Sequence, residues 1–207
     1  MNIFNKKIPL LRHPYYKLLK LKRGITLRMH LTWKCNFKCE YCPTELPDNY
    51  DYSKELSIVE WYDYIKRFPI KIKQIHILGG EPTLIPNIEL LVNRLLKEGY
   101  FVTFYTNMSR PQVFDNIKRS LRFMIMTNYH KDWILSNKFL SRINDCKHQI
   151  KAGEFKELSN ISNELRNIPV ASGKDELDNV YKNTLNISPS GTIELTCWDV
   201  SVKNINK

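Results

Sequence analysis

The chain has 207 residues, 43% of them hydrophobic and 26% charged, with 32 Lys and Arg against 21 Asp and Glu. That length and composition fit one globular domain, or one with a small appendage, and exclude a disordered chain. No run approaches the roughly 20 apolar residues of a membrane span, and no period marks a repeat protein.

The net charge of +11 sits mostly at one end: residues 1–39 hold ten basic residues and no acidic one, leaving a balance of +1 over the rest. Such an arm suits nucleic acid, an acidic peptide or an anionic membrane surface, and equally a solvated leader. Residues 1–24 do not read as a signal peptide, because Pro9 and Pro14 interrupt them and no apolar core follows the early lysines. Three of the five cysteines, Cys35, Cys39 and Cys42, lie within eight residues. An odd count without a secretion signal argues against a disulfide scaffold and for the reducing cytoplasm.

In chain order, residues 13–23 read as a short basic helix stopped by Gly24. Residues 25–32 alternate as a strand with Ile25, Leu27, Met29 and Leu31 on one side, and run straight into the cysteine cluster. Residues 43–52 are loop by composition. Ser57 and Glu60 have capping-box spacing before a helix whose apolar face holds Ile58, Trp61, Tyr62, Ile65 and Phe68. Residues 72–78 form a second strand, entering Gly79-Gly80-Glu81-Pro82. A helix over 88–97, a third strand over 100–105 entering Thr106-Asn107, a short helix over 111–120 and a fourth strand over 121–126 follow.

The spacing then predicts a helix over 136–150 with Cys146 on its apolar face, further helices over 154–167 and 174–182, and at best a very short strand over 168–171. No convincing fifth or sixth strand is evident. Residues 185–188 and 193–198 flank Pro189-Ser190-Gly191 as a hairpin. Strand–loop–helix units in series mean a parallel sheet with right-handed crossovers. A full eight-unit barrel needs about 250 residues, so the expected fold is α/β, a partial, open (β/α) barrel of four to six mainly parallel strands. The expected division is an arm over 1–24, the barrel over 25–183 and a hairpin stub over 184–207.

The loop from Cys35 to Cys42 spaces its thiols so that three thiolates can converge on one centre. An iron–sulfur cluster held by three thiolates keeps one iron open to bind a small molecule. Lys34 and Lys38 offset the thiolate charge, and Phe37 and Tyr41 shield the centre from water. Spacing alone leaves open a zinc site, with His30 as the fourth ligand, and unligated thiols.

C-x3-C-x2-C after a first strand, with an aromatic before the last Cys, and Gly79-Gly80-Glu81-Pro82 after the second resemble the radical S-adenosylmethionine (radical SAM) enzymes. Thr106-Asn107 adds to the match, which covers roughly residues 25–130. The resemblance implies one 4Fe–4S cluster on Cys35, Cys39 and Cys42, with S-adenosylmethionine chelating the fourth iron. It implies backbone of Gly79 and Gly80 against the methionyl amino group, Glu81 helping to hold that group, and Pro82 stiffening the turn. Tyr41 is then expected near the adenine, and Asn107 or Asn128 near the ribose. The implied chemistry is reductive cleavage to a 5′-deoxyadenosyl radical that takes hydrogen from a substrate, with flavodoxin or ferredoxin as electron donor.

His130 stands as a candidate acid or base in Tyr129-His130, where relatives often follow the pair with proline and this chain has Lys131. Met108 and Ser109 follow Thr106-Asn107 where the family usually has glycine. The terminal hairpin is similar to the one that opens a cysteine-rich extension in peptide-modifying relatives. Cys146 and Cys197 are too few for a second, four-thiolate cluster, so one cluster is expected. A peptide or protein substrate is the leading expectation. The alternatives are RNA or a nucleotide, drawing on Tyr15, Tyr16, Lys17, Lys20 and Lys22, and a non-catalytic zinc-stabilised binding module.

Overall fold

The computed structural model describes residues 24–39, 42, 49–127, 145–153, 170–171 and 184–194. Eight strands form one sheet: β1 (Ile25–Thr32), β2 (Ile72–Gly79), β3 (Phe101–Thr106), β4 (Phe123–Thr127), β5 (Gln149–Gly153), β6 (Val170–Ala171), β7 (Thr184–Ile187) and β8 (Ile193–Glu194). Their order is β6-β5-β4-β3-β2-β1-β7-β8. Six have four residues or more, while β6 and β8 have two each. All neighbours pair in parallel except β7 with β8. The end strands β6 and β8 do not pair with each other, so the sheet is open, as expected of a partial (β/α) barrel. Among the described residues no helix is long and apolar enough to cross a membrane.

Among the described residues two α-helices cover the sheet, α1 (Ile58–Lys66) and α2 (Ile88–Lys97). Helix α1 starts at the expected capping box, with Ser57 and Glu60 bonding reciprocally. It buries Trp61, Tyr62, Tyr64 and Ile65. Leu91, Val92 and Leu95 of α2 join the same core.

Period-2 alternation gives the sheet two unlike faces. In β1, Ile25, Leu27, Met29 and Leu31 are at most 1% exposed. They line up with Ile75 and Ile77 of β2 and with Leu185 and Ile187 of β7. The opposite face carries Thr26, Arg28 and His30, in register with Thr184, Asn186, Gln74 and His76. Thr103 of β3 continues that row beyond His76.

Three expectations need correction. The chain does have a fifth strand: Gln149–Gly153 pairs with β4, so the helix expected over 136–150 does not include its last residues. Cys146 lies in irregular chain just before β5, partly buried against the core, rather than on a helix face. The spacing of Cys146 and Ile150 fits a helix, but Ile150 is instead the strand partner of Ile125 and buried on the apolar face. So short an apolar pattern does not distinguish the two periods. Finally, residues 111–116 form only a 3-10 stretch, which Pro111 opens, and β4 begins two residues later than expected. The hairpin is present, with β7 joined in parallel to β1 and β8 outermost. The basic arm, the segments 154–167 and 174–182, and Cys197 lie outside the described residues.

Candidate active site

Parallel strands bring their C-terminal ends to one side, which places the loops after Thr32, Gly79 and Thr106 together. The cysteine loop and the Gly79-Gly80-Glu81-Pro82 turn are bonded backbone to backbone. Gly80 N donates to Thr32 O at 2.7 Å and Glu81 N to Lys34 O at 2.7 Å. This approach is what the two glycines permit. A Cβ on Gly79 would lie 2.2 Å from Thr32 O, and one on Gly80 would lie 2.2 Å from Lys34 O. Gly79 also takes φ 130°, a value that favours glycine.

Glu81 is fully buried, and protein donors engage both carboxylate oxygens. Oε1 accepts from Thr83 N (3.0 Å), Thr83 Oγ1 (2.5 Å) and Thr106 Oγ1 (2.8 Å), and Oε2 accepts from Asn107 N (2.6 Å). One carboxylate thus ties its own turn to the end of β3. Burial pushes its pKa above the ordinary 4.5, and the donated bonds from Thr83, Asn107 and Thr106 only partly offset this. Pro82 opens the 3-10 turn whose amides and hydroxyl surround that carboxylate.

Asn107 is buried, and its side chain is committed to loop geometry. Nδ2 donates to Asn36 Oδ1 at 3.0 Å, and Oδ1 accepts from Ser109 N at 2.9 Å. Asn107 therefore links β3 to the cysteine loop. Met108 follows at φ 58° with its side chain fully buried. The left-handed backbone costs an ordinary residue roughly 1–2 kcal/mol, and burying a methionine offsets about that much.

Cys35 and Cys42 are exposed, Cys39 is half-buried, and none is in a disulfide. Phe37 N donates to Cys35 Sγ at 3.4 Å, and Cys42 N donates to Cys39 O at 3.1 Å. Burial raises the Cys35 pKa, with Glu81, Cys39 and Cys42 adding to the rise. Among the described residues no three His, Cys, Asp or Glu side chains are grouped closely enough to hold a metal ion. His30 is buried within β1, its ring 4.8 Å from that of Trp33. Of the other candidate residues, Tyr41, Asn128 and His130 lie outside the described residues.

Glu55, which no sequence pattern singles out, anchors the entry to the cysteine loop. Its Oε2 accepts from Thr32 Oγ1 (2.7 Å) and its Oε1 from Trp33 N (2.8 Å). Leu56 N then donates to Pro189 O at 2.8 Å, so the same segment reaches the β7–β8 turn. Glu55→Ala is expected to destabilise the fold by about 2 kcal/mol, and Glu55→Gln, which keeps one acceptor, by about half that. Urea denaturation midpoints check the ranking.

Residues 29–129 match the family model described as the Radical SAM superfamily. They form a radical SAM domain. The chain is 33% identical over 100 residues to 7-carboxy-7-deazaguanine synthase of Haemophilus influenzae, covering 47% of this chain and 44% of that protein. It is 30% identical over 167 residues to GTP 3′,8-cyclase of Staphylococcus epidermidis, covering 77% of this chain and 43% of that protein. The crystal structure of Streptococcus suis SuiB bound to precursor peptide SuiA matches with a TM-score of 0.49 and 15% identity, covering 92% of this chain and 48% of that one. The chain thus spans less than half the length of each. The radical SAM match begins within β1 and ends two residues beyond β4, so it takes in the cysteine loop, the glycine turn and the end of β3.

Proposed function

We propose that this chain is a radical SAM enzyme that cleaves S-adenosylmethionine reductively. Cys35, Cys39 and Cys42 would hold a single 4Fe–4S cluster, and the backbone of Gly79 and Gly80 would receive the cofactor's methionyl group. Bound together, cluster and cofactor supply a 5′-deoxyadenosyl radical. The observation that carries this reading is the direct bonding of the glycine turn to the cysteine loop. Two motifs far apart in sequence form one structural unit at the sheet's C-terminal side.

The donor chemistry fits the cluster. Three thiols share one solvent-facing loop, and an amide N–H already points at Cys35 Sγ, a bond of the kind that tunes such clusters. Loading would draw the three thiols together. Glu81, Asn107 and Glu55 act as positioning residues, holding the loop against the ends of β1–β3. Free thiols favour a reducing cytoplasm, where flavodoxin or ferredoxin would deliver the electron.

The substrate has two readings. The open sheet and the terminal hairpin support a peptide or protein. The names of the relatives, a deazaguanine synthase, a GTP cyclase and, at 28% identity, a nucleotide dehydratase of Selenomonas ruminantium, support a nucleotide or a related base.

Anaerobic reconstitution with iron, sulfide, dithionite and S-adenosylmethionine tests the activity. The expected product is 5′-deoxyadenosine, with roughly four irons per chain. Cys39→Ala is expected to abolish both. Full cleavage by that variant, or iron-free protein holding one tightly bound zinc, would overturn the proposal.

A further inference from the structure

We infer that the polar face of the sheet seats an oxyanion of the substrate, a carboxylate or a phosphate, on Arg28 between His76 and Asn186. Using that oxyanion to place a substrate rests on the radical SAM reading above, whereas the anion site itself does not.

Arg28 is the central residue of a row across the sheet. Parallel register places His76 of β2 on one side of it and Asn186 of β7 on the other, and His30 lies two residues further along β1 on the same face. None of β1–β7 contains an Asp or Glu, and the one acid in the sheet, Glu194 of β8, is in register with Asn186 and so two strands away from Arg28. Among the described residues the ion pairs are Lys54–Asp51 and Lys66–Glu98, and Arg28 takes part in neither. A guanidinium partly withdrawn from water, with no carboxylate paired to it among the described residues, is an incomplete arrangement.

The neighbours are incomplete in the same way. His30 and His76 are each 7% exposed and Asn186 is 3% exposed. Arg28 Nε, both ring nitrogens of His30, His76 Nε2 and Asn186 Oδ1 are buried without a hydrogen-bond partner. Buried polar atoms are normally satisfied, and each left unpaired is costly. Five on one face of one sheet point to a missing polar occupant.

Its charge follows from what surrounds it. Burial, with Arg28 adding to it, lowers the His30 pKa to about 3 and the His76 pKa to about 4. Both rings are therefore neutral near pH 7, and each can offer one N–H. Tyr105 Oη lies 3.4 Å from His76 Nδ1 and orients that ring. One fixed cation and neutral N–H donors suit an oxyanion, for which guanidinium supplies a matched fork, while Asn186 Oδ1, an acceptor, calls for an O–H or N–H on the same occupant. Arg28 lies four residues before Thr32, about 13 Å deeper along β1 at strand rise. That depth separates it from the glycine turn and its proposed cofactor group.

Binding of inorganic phosphate and of acetate to the full chain, measured calorimetrically without reductant, tests the site. One of the two anions is expected to bind, and Arg28→Gln to weaken it at least about tenfold. Arg28→Lys, which keeps charge but loses the fork, is expected to weaken it less. Arg122→Gln, removing a guanidinium from the Phe101 ring elsewhere, should leave it unchanged. Preference for phosphate identifies a phosphorylated substrate and preference for acetate a carboxylate one.

Absence of binding by the parent chain, parent affinity in Arg28→Gln, or equal weakening by Arg122→Gln would overturn the inference. Should Arg28→Gln not fold, the His30 and His76 ring-proton resonances of the parent decide. They are expected to shift on phosphate or acetate saturation, and unmoved resonances count against the site. Arg28-dependent binding without 5′-deoxyadenosine formation would sink the radical SAM reading and leave the anion site. The reverse result would sink the anion site alone.

Discussion

Replacing Glu81 with alanine is expected to cost about 2–6 kcal/mol of stability, the cost of leaving two backbone amides without their acceptor. The side chain is fully buried and accepts four hydrogen bonds. Alanine would strand the amides of Thr83 and Asn107, which cannot turn away as the threonine hydroxyls can. Each orphaned amide costs roughly 1–3 kcal/mol. Against a total stability of about 5–15 kcal/mol, that loss should show as a large fall in the urea midpoint. Iron content after reconstitution is expected to fall with it, because the same carboxylate holds the turn against which the cysteine loop rests. A midpoint within 1 kcal/mol of the parent would show that the clamp is dispensable.

Glu81→Gln separates shape from charge. The amide keeps one acceptor for Thr83 and Thr106 but turns an NH2 toward the amide of Asn107. At low pH a protonated Glu81 has its full advantage over glutamine. Because burial raises its folded pKa above 4.5, that advantage declines as pH rises through the raised value. The stability gap between parent and Gln variant is therefore expected to narrow from pH 4.5 upward. A gap that widens over that window would mean that the four donors, rather than burial, dominate.

Much of the site was legible because its parts are local in sequence. Alternation in β1 specified which residues are buried, and the capping box located the start of α1. Order alone put the cysteine loop and the glycine turn at the same end of neighbouring strands. What escaped the sequence has a common physical origin in partners that are remote. Glu81 reaches Thr106 and Asn107 from the end of the neighbouring strand, and Glu55 reaches back to Thr32 and Trp33 from a polar segment with no periodicity. Arg28 alternates in β1 as a solvent-facing residue would, and only the register shows it beside His76 and Asn186. Strand β5 was hidden for a different reason: its five residues have one large apolar member, Ile150, which fits either period. Even the glycines change meaning once the fold is seen. Their missing side chains make room for the cysteine loop's own backbone before any ligand is considered.

Gly80→Ala is expected to damage the site more than its size suggests. The added methyl would sit 2.2 Å from Lys34 O, 2.6 Å from Lys34 C and 2.7 Å from Trp33 O. All three atoms are backbone, so no side-chain rotation relieves the contact. Relief requires separating the two loops, and that separation breaks the bonds from Gly80 N to Thr32 O and from Glu81 N to Lys34 O. The two backbone bonds and the displaced loop together cost about 2–4 kcal/mol. The strain falls on Trp33 and Lys34, immediately before Cys35, so the first cysteine moves with it. Reconstituted Gly80→Ala is therefore expected to bind iron poorly and to lose most S-adenosylmethionine cleavage while its far-UV circular dichroism stays near that of the parent. Parent-like iron content and cleavage would mean that the contact between the two motifs is slack, and the structural unit on which the proposed chemistry stands would come apart.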